Sequence, residues 1–245
     1  MRKYIFGVMI TAAVFAAVSC TTKGDPGIAG ADGSNTASAL FQNGAAPSSG
    51  YAGCEDTQIL ATSTNTNFGA CNYMLGGGYM GDPYHILIKF DVSYITPHDV
   101  NVKSAKLTLY FDNADDMLSP NTYTAYAVNK DWSEGTAACG GTVDVDASWL
   151  YYDGTANSWD TAGGDYGASA VSDSVYLSSV SDGASITFAL NADTVESWIK
   201  NPDTNYGILI KGDTAAGMPW MRPCSSETTA GNYYRPRLEV NYTLP

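Results

Sequence analysis

Basic residues are scarce in this chain, which has 12 Lys and Arg against 25 Asp and Glu among its 245 residues. The formal net charge of −13 at pH 7 repels phosphate backbones and anionic lipid headgroups. We therefore expect no nucleic-acid partner. An acidic surface keeps an exported protein soluble, and it also suits divalent cations or a neutral partner.

Histidine is scarcer still, because His85 and His98 are the only two in the sequence. Both are remote from the cysteines and no C-x-x-C pair is present, which argues against a zinc site. The G-x-S-x-G, H-E-x-x-H, P-loop and dinucleotide-binding motifs are also missing. We therefore expect a protein that is not an enzyme, although a carboxylate pair for glycoside hydrolysis has no sequence signature.

Long apolar runs are missing except at the N-terminus, where Arg2 and Lys3 precede an apolar stretch too short to span a membrane comfortably. Cys20 follows small residues there, as in a bacterial lipoprotein signal, although Ala17 stands where Leu is usual. We predict a signal peptide at residues 1–19 and a lipid on Cys20, with simple secretion as the alternative. The predicted location is the cell envelope, as an outer-membrane lipoprotein facing the extracellular side. Loss of the leader leaves 10 basic and 25 acidic residues, a net charge of −15.

Cysteines other than Cys20 number only four. An even number in an oxidising compartment predicts two disulfides, and three pairings are possible. We favour Cys54–Cys71, which closes a local loop, and Cys139–Cys224, which joins two distant segments.

Residues 20–50 lack apolar periodicity and are rich in Gly, Ala, Ser and Asn, with a glycine at every third position from Gly24 to Gly33. Three collagen-like triplets cannot sustain a triple helix alone. We predict a flexible tether after the lipidated cysteine, with an end-to-end distance of roughly 30 Å for about 30 residues. The folded domain is predicted over residues 51–245.

Alternating apolar and polar residues predict short strands beyond residue 51. In the clearest case, Ile86, Ile88 and Phe90 alternate with Lys89 and Asp91, although Leu87 interrupts the polar face. The predicted strands cover residues 57–61, 72–75, 86–92, 107–111, 123–129, 185–190, 206–211 and 237–243.

A single short helix is predicted near Ala192–Lys200, where Asn191 can cap the N-terminus and apolar residues share one face. Eight or more short antiparallel strands indicate an all-β fold, namely an antiparallel two-sheet β-sandwich of jelly-roll type. The strand at 237–242 is expected at a sheet edge, where it could pair with another subunit.

Six segments follow one another in the order of a known family. They read ILIKFDVS (86–93), VKSAKLTLY (102–110), DWSEGT (131–136), WDTAGGDY (159–166), VESW with NYGILI (195–198 and 205–210), and RPRLEVNY (235–242). Over residues 54–243 the chain resembles a DNRLRE domain, a family similar to carbohydrate-binding module family 96. The resemblance implies a β-sandwich and a ligand that is a polysaccharide, since alginate-binding modules are among the relatives.

Sugar recognition needs aromatic faces for pyranose rings and planar polar groups for hydroxyls. Aromatic residues are plentiful in the predicted loops, Tyr73, Tyr79 and Tyr84 among them. The residues that we select as ligand-binding candidates are Trp149, Tyr151, Trp220, Arg222, Tyr233 and Arg235. A strongly anionic glycan would be repelled unless calcium bridges it, so a neutral glycan is electrostatically easier.

The function that these features favour is a surface-anchored, non-catalytic binding module for extracellular polysaccharide or adhesion. The alternative is a structural subunit of an extracellular coat, matrix or filament, in which case the protein self-associates. A polysaccharide-degrading enzyme ranks third.

Calcium is the one cofactor that the sequence suggests. Asp112, Asp115 and Asp116 place oxygen ligands close together in a predicted loop, as hard cations require. The spacing does not fit an EF-hand loop, and solvated loop acids are the alternative interpretation.

Overall fold

The computed structural model describes residues 35–117, 119–139, 146–213 and 219–245. The predicted signal peptide, the lipidation of Cys20 and the collagen-like triplets lie outside the described residues. None of the helices in these ranges is both long enough and apolar enough to cross a membrane.

Short strands make up most of the described regular structure. They are β1 (Thr36–Phe41), β2 (Cys54–Leu60), β3 (Gly77–Tyr79), β4 (Asp82–Phe90), β5 (Asn101–Tyr110), β6 (Asn121–Val128), β7 (Tyr151–Asp153), β8 (Asn157–Ser158), β9 (Tyr166–Ala170), β10 (Val175–Leu177), β11 (Ser185–Leu190), β12 (Ile208–Gly212) and β13 (Arg237–Thr243). One α-helix, α1 (Ala192–Lys200), and two 3₁₀ turns at Pro202–Thr204 and Asn232–Tyr234 complete the described elements.

The strands form two main antiparallel sheets. The four-stranded sheet has the order β1-β13-β5-β11. The seven-stranded sheet is built on β10-β6-β12-β4-β2, with β3 added to β4 and β9 added to β6. The chain crosses between the sheets from β4 to β5 to β6, and again from β10 through β13, as in a jelly roll. The predicted all-β two-sheet sandwich is confirmed.

The main core fills the space between the sheets. Ile86 and Ile88 of β4 face Leu107 and Leu109 of β5 across it, and each is at most 1% exposed. Burial of one such side chain contributes roughly 1.5–3 kcal/mol. The alternation read from the sequence therefore reports which residues enter this core.

Helix α1 closes one end of the core and has the predicted bounds. The side chain of Asn191 caps it, because its Oδ1 accepts the N–H of Thr194 at 2.9 Å. Val195, Trp198 and Ile199 form the buried face of this helix.

A second apolar layer covers part of the outer face of the seven-stranded sheet. There Leu87 packs with Trp132 and Trp159, which the chain between β6 and β9 carries over the sheet. The two indole N–H groups donate to carbonyl oxygens, of Tyr206 at 2.8 Å and of Ser148 at 2.9 Å. Leu87 interrupts the polar face of β4 in the sequence because that face is covered here.

The sandwich begins earlier than the sequence predicts. Strand β1 lies within the predicted tether, residues 20–50, yet it pairs with β13, with Phe41 opposite Leu238. Its small residues alternate only between exposed and half-buried until Phe41, so no apolar period marks it. Because β13 lies between β1 and β5, the predicted free edge at 237–242 is wrong. That strand cannot pair with another subunit while β1 is in place.

The favoured cysteine pairing is also wrong, because the disulfide joins Cys71 to Cys139. A backbone hydrogen bond from Ala70 to the carbonyl of Ala137 sets the two segments side by side, and the two Cα atoms are 4.7 Å apart. Cys54 and Cys224 are free and buried.

Candidate functional site

Two segments that are far apart in the sequence, residues 73–79 and 219–224, run antiparallel to each other, and we call them the groove walls. The first of them ends with strand β3 of the β3–β4 hairpin. The N–H of Met74 donates to the carbonyl of Pro223 at 2.9 Å. Gly76 and Met221 exchange both backbone hydrogen bonds, at 3.0 and 2.9 Å. These bonds fix the register between the walls.

In this register the side chains along each wall alternate between the core and the surface, with a period of two residues. Met74 and Met221 point into the core and are 1% and 0% exposed. The alternate positions project outward and, with two tyrosines of the hairpin, line a surface depression of about 260 Å³. We call it the aromatic groove, and its lining residues are Tyr73, Leu75, Tyr79, Tyr84, Trp220 and Arg222.

Gly77 allows the walls to approach so closely. Its φ is +106°, in the region that favours glycine, and a Cβ added there would lie 2.1 Å from the carbonyl oxygen of Pro219. The same oxygen accepts a hydrogen bond from Asn121 at 2.9 Å. The backbone beside Trp220 is therefore held in place from two sides.

Arg222 is positioned by an ion pair inside the groove. Its Nε and Nη2 both reach Oδ1 of the buried Asp116, at 2.7 and 2.6 Å. The guanidinium lies 5.1 Å from the centre of the Tyr73 ring. Burial raises the pKa of Asp116, and Arg222 acts in the opposite direction. The charge of Arg222 is thus balanced, and the arginine serves as an oriented donor rather than as a free cation.

Of the six ligand-binding candidates, Trp220 and Arg222 meet in this groove and the other four lie elsewhere. Trp149 packs against the second apolar layer, and Tyr151 lies half-buried in β7. Tyr233 is 63% exposed and stacks on Tyr234, with ring centres 4.1 Å apart. Arg235 donates through Nη1 to the carbonyl of Asn43 at 3.1 Å.

Selection from the sequence overlooked the opposite side of the groove. The sequence indicates Tyr73, Tyr79 and Tyr84 only as loop aromatics, and it predicts a strand at 72–75 that includes Leu75. The structure gives that stretch only an isolated bridge, at Tyr73. No local pattern distinguishes these four residues, because the groove depends on pairing with residues far along the chain.

Asp112, Asp115 and Asp116 do not form a group of three acids within ligand distance of one another in the described structure, although Asp116 interacts with Asp112. Asp116 is buried and bound to Arg222, whereas Asp112 and Asp115 are exposed. In the part of the chain that the structure describes, the one set of three or more acidic side chains with ligand oxygens within 4.8 Å of one another consists of Asp56, Glu134 and Glu227.

A second surface with aromatic residues lies on the outer face of the seven-stranded sheet. There Lys211 lies 4.9 Å from the ring centres of both Tyr126 and Tyr166, and its Nζ donates to the Tyr166 hydroxyl at 2.9 Å. The lysine occupies a face of each ring. The aromatic groove leaves Trp220 and Tyr79 without such a partner among the described contacts, which makes it the better platform.

Residues 47–138 match the model of carbohydrate-binding module family 96. Among curated proteins, none matches the chain. The matched part carries Tyr73, Tyr79 and Tyr84, while Trp220 and Arg222 lie beyond it. The match supports a carbohydrate-binding module family, a class that is typically non-catalytic.

Proposed function

We propose that this protein is a non-catalytic module that binds extracellular polysaccharide in the aromatic groove. The observation that carries the proposal is the meeting of Trp220 with Tyr73, Tyr79 and Tyr84 around one depression. Aromatic faces bury the C–H surfaces of sugar rings, and the oriented donors of Arg222 suit hydroxyl oxygens. The match to a carbohydrate-binding module family supports the same function.

The electrostatics of the groove favour a neutral polysaccharide. A carboxylated sugar needs a free cation, and the guanidinium of Arg222 is already paired with Asp116. The chain as a whole carries a formal charge of −13, which adds a long-range repulsion for polyanions. We therefore propose a neutral chain such as a β-glucan or a mannan as the ligand class.

The leader sequence suggests where such a module acts. A lipid on Cys20 would hold the sandwich at the outer membrane, facing the extracellular side, and the glycine-rich residues after it would act as a spacer. In this arrangement the module attaches the cell surface to polysaccharide. Mass spectrometry of the mature N-terminus tests this part, and an unmodified mature chain that starts elsewhere would contradict it.

Binding of the purified full chain to neutral polysaccharides, measured by affinity electrophoresis and calorimetry, tests the proposed function. We expect saturable binding that Trp220→Ala weakens by roughly tenfold or more, because the sugar loses its principal stacking face. The matched control is Tyr176→Ala, which removes an aromatic residue 65% exposed on β10. Equal affinity of the Trp220 variant and the wild type, or an equal loss of affinity in both variants, would refute the groove as the binding site.

Alginate provides the electrostatic comparison. We expect weaker binding of alginate than of the neutral chain at low salt, and an increase in alginate binding on addition of salt as repulsion is screened. Tighter binding of alginate that falls with salt would show that the ligand class is wrong. Release of soluble sugar from any of these polymers would show catalysis instead.

A further inference from the structure

Three carboxylates from three separate parts of the chain meet beside the edge strand β2. Asp56 lies on β2, Glu134 follows β6, and Glu227 precedes β13, and one oxygen of each lies within 4.8 Å of the others. Asp56 is 1% exposed, while Glu134 and Glu227 are half-buried. The cluster is separate from the aromatic groove.

Hydrogen bonds orient each carboxylate through one of its oxygens. Glu134 Oε1 accepts the backbone N–H of Asp56 at 2.6 Å, and Asp56 Oδ2 accepts the backbone N–H of Ser226 at 2.8 Å. Glu227 Oε1 accepts the Ser226 hydroxyl at 2.6 Å. The acids are thus fixed by the fold and do not simply extend into solvent.

The second oxygens of two of these groups have no partner. Asp56 Oδ1 and Glu227 Oε2 are buried atoms that receive no hydrogen bond. An ionised carboxylate oxygen that is removed from water and left unpaired is costly, and a bound cation relieves that cost. The orphan oxygen on the nearly inaccessible Asp56 therefore points to a ligand in addition to the cluster itself.

The described structure offers little positive charge to balance the three acids. None of its ion pairs includes Asp56, Glu134 or Glu227. Arg235 acts electrostatically on Glu227, but its Nη1 is used by a backbone carbonyl and its Nε is buried without a partner. A divalent cation would neutralise the charge of these three acids when they are ionised.

We propose that Asp56, Glu134 and Glu227 bind a calcium ion. The donors are all oxygen, as hard cations require. Two oxygens that bind one Ca²⁺ at about 2.4 Å each are at most about 4.8 Å apart, and one oxygen of each acid meets that limit. The flexible coordination shell of Ca²⁺ also suits three acids from separate segments better than the strict octahedron of Mg²⁺ does. The half-buried glutamates leave room for water to complete the coordination. This site differs from the loop of Asp112, Asp115 and Asp116 that the sequence suggested.

The ion would join three segments that are far apart in the sequence. The segment that carries Glu227 follows directly on the groove wall at 219–224, and Glu134 lies in the stretch that the Cys71–Cys139 disulfide anchors. Calcium would therefore stabilise the sandwich and hold this wall in register. The inference does not depend on which glycan, if any, the groove binds.

Thermal unfolding of the full chain, stripped with EDTA and then titrated with CaCl₂ or MgCl₂, tests the site. We expect Ca²⁺ to raise Tm by roughly 5–10 °C at about 100-fold excess over Kd, and Mg²⁺ to act only at much higher concentration. No Ca²⁺-dependent shift in Tm and no calorimetric binding would overturn the proposal, and the three acids would then share protons instead.

Glu227→Gln tests the residues, with Asp115→Asn as the matched control that removes one exposed negative charge. The glutamine variant should unfold at the same or a higher temperature than the EDTA-treated wild type, because it removes one of three acids that repel one another, and it should lose most of the Ca²⁺ shift. The asparagine variant should keep the full shift. The reverse pattern would place calcium in the 112–116 loop and refute this site.

Discussion

His85 is a buried histidine that the fold holds in its neutral form. It is 8% exposed on the outer side of β4, and the centre of its ring lies 5.1 Å from that of Trp149. Its Nδ1 lies 2.8 Å from the carbonyl oxygen of Gly163, and because a carbonyl only accepts, Nδ1 carries the proton. Burial is the main cause that lowers the pKa of His85 from 6.5 to about 4, with a smaller effect of Lys211 in the same direction and an opposing effect of the Gly163 bond.

This lowered pKa makes stability depend on pH in a defined direction. Between pH 6.5 and about 4 the unfolded chain binds a proton at this position and the folded protein does not. The free energy of unfolding therefore rises with pH across that window, and this contribution of His85 is lost as pH falls through it. A shift from 6.5 to about 4, at 1.36 kcal/mol for each pH unit, corresponds to about 3 kcal/mol.

The substitution His85→Asn isolates this contribution, because the Asn amide can still donate to the Gly163 carbonyl but does not titrate. We propose measuring urea unfolding of both proteins from pH 4 to pH 8 and subtracting the two free energies at each pH, which cancels the other titrating groups. The difference, wild type minus variant, should increase by about 3 kcal/mol from pH 4 to 6.5 and stay flat above pH 7. A difference that is flat throughout, or that increases towards acid, would refute the assignment of a buried neutral imidazole.

Two further predictions concern the loops beside the sandwich. Replacing Cys71 and Cys139 by Ser should lower the free energy of unfolding by about 4 kcal/mol, since the disulfide closes a loop with a sequence separation of 68. Denaturant unfolding of the variant and the wild type measures this difference. Non-reduced peptide maps of the wild type should show no other disulfide. Asn67→Ala should cost roughly 3–5 kcal/mol, because the fully buried amide donates to the carbonyls of Glu134 and Ala147 at 2.6 and 3.0 Å, and these groups would be left unpaired. A loss below 1 kcal/mol in the same assay would contradict the second prediction.

Prediction from the sequence is most accurate where one face of an element is buried and the other is exposed to solvent. Strand β11 alternates strictly between exposed and buried residues, and its predicted and observed bounds agree. The same contrast, together with the Asn191 cap, made the bounds of α1 predictable. Alternation reports burial directly in such elements, because one layer of protein lies on one side and water on the other.

The alternation of apolar and polar residues does not reveal a strand that is buried on both faces or that has few apolar residues. Strand β2 is almost continuously buried on both faces. Ile59 enters the second apolar layer on one face, while on the other Cys54 enters the main core and Asp56 and Gln58 accept backbone N–H groups of covering segments. Strand β1 has the opposite problem, since small residues gave its segment the composition of a linker. Its place in the sheet comes from hydrogen bonds to β13, which composition cannot reveal. The predicted cysteine pairing is wrong for a related reason, because the relative positions of the loops in the fold decide which thiols are close enough to bond.

The aromatic groove shows most clearly why sites of this kind are only half visible in a sequence. Composition could select Trp220 and Arg222, but the direction of a side chain on an extended segment depends on which residues it is paired with. The exchange of backbone bonds between Gly76 and Met221 makes that choice, and a slip by one residue would put Met221 outside and Trp220 in the core. The register is in turn fixed by close backbone contact, at Gly77 against Pro219, which no residue with a Cβ could make. The specificity of the groove therefore rests as much on a glycine as on the aromatic residues that would touch a sugar.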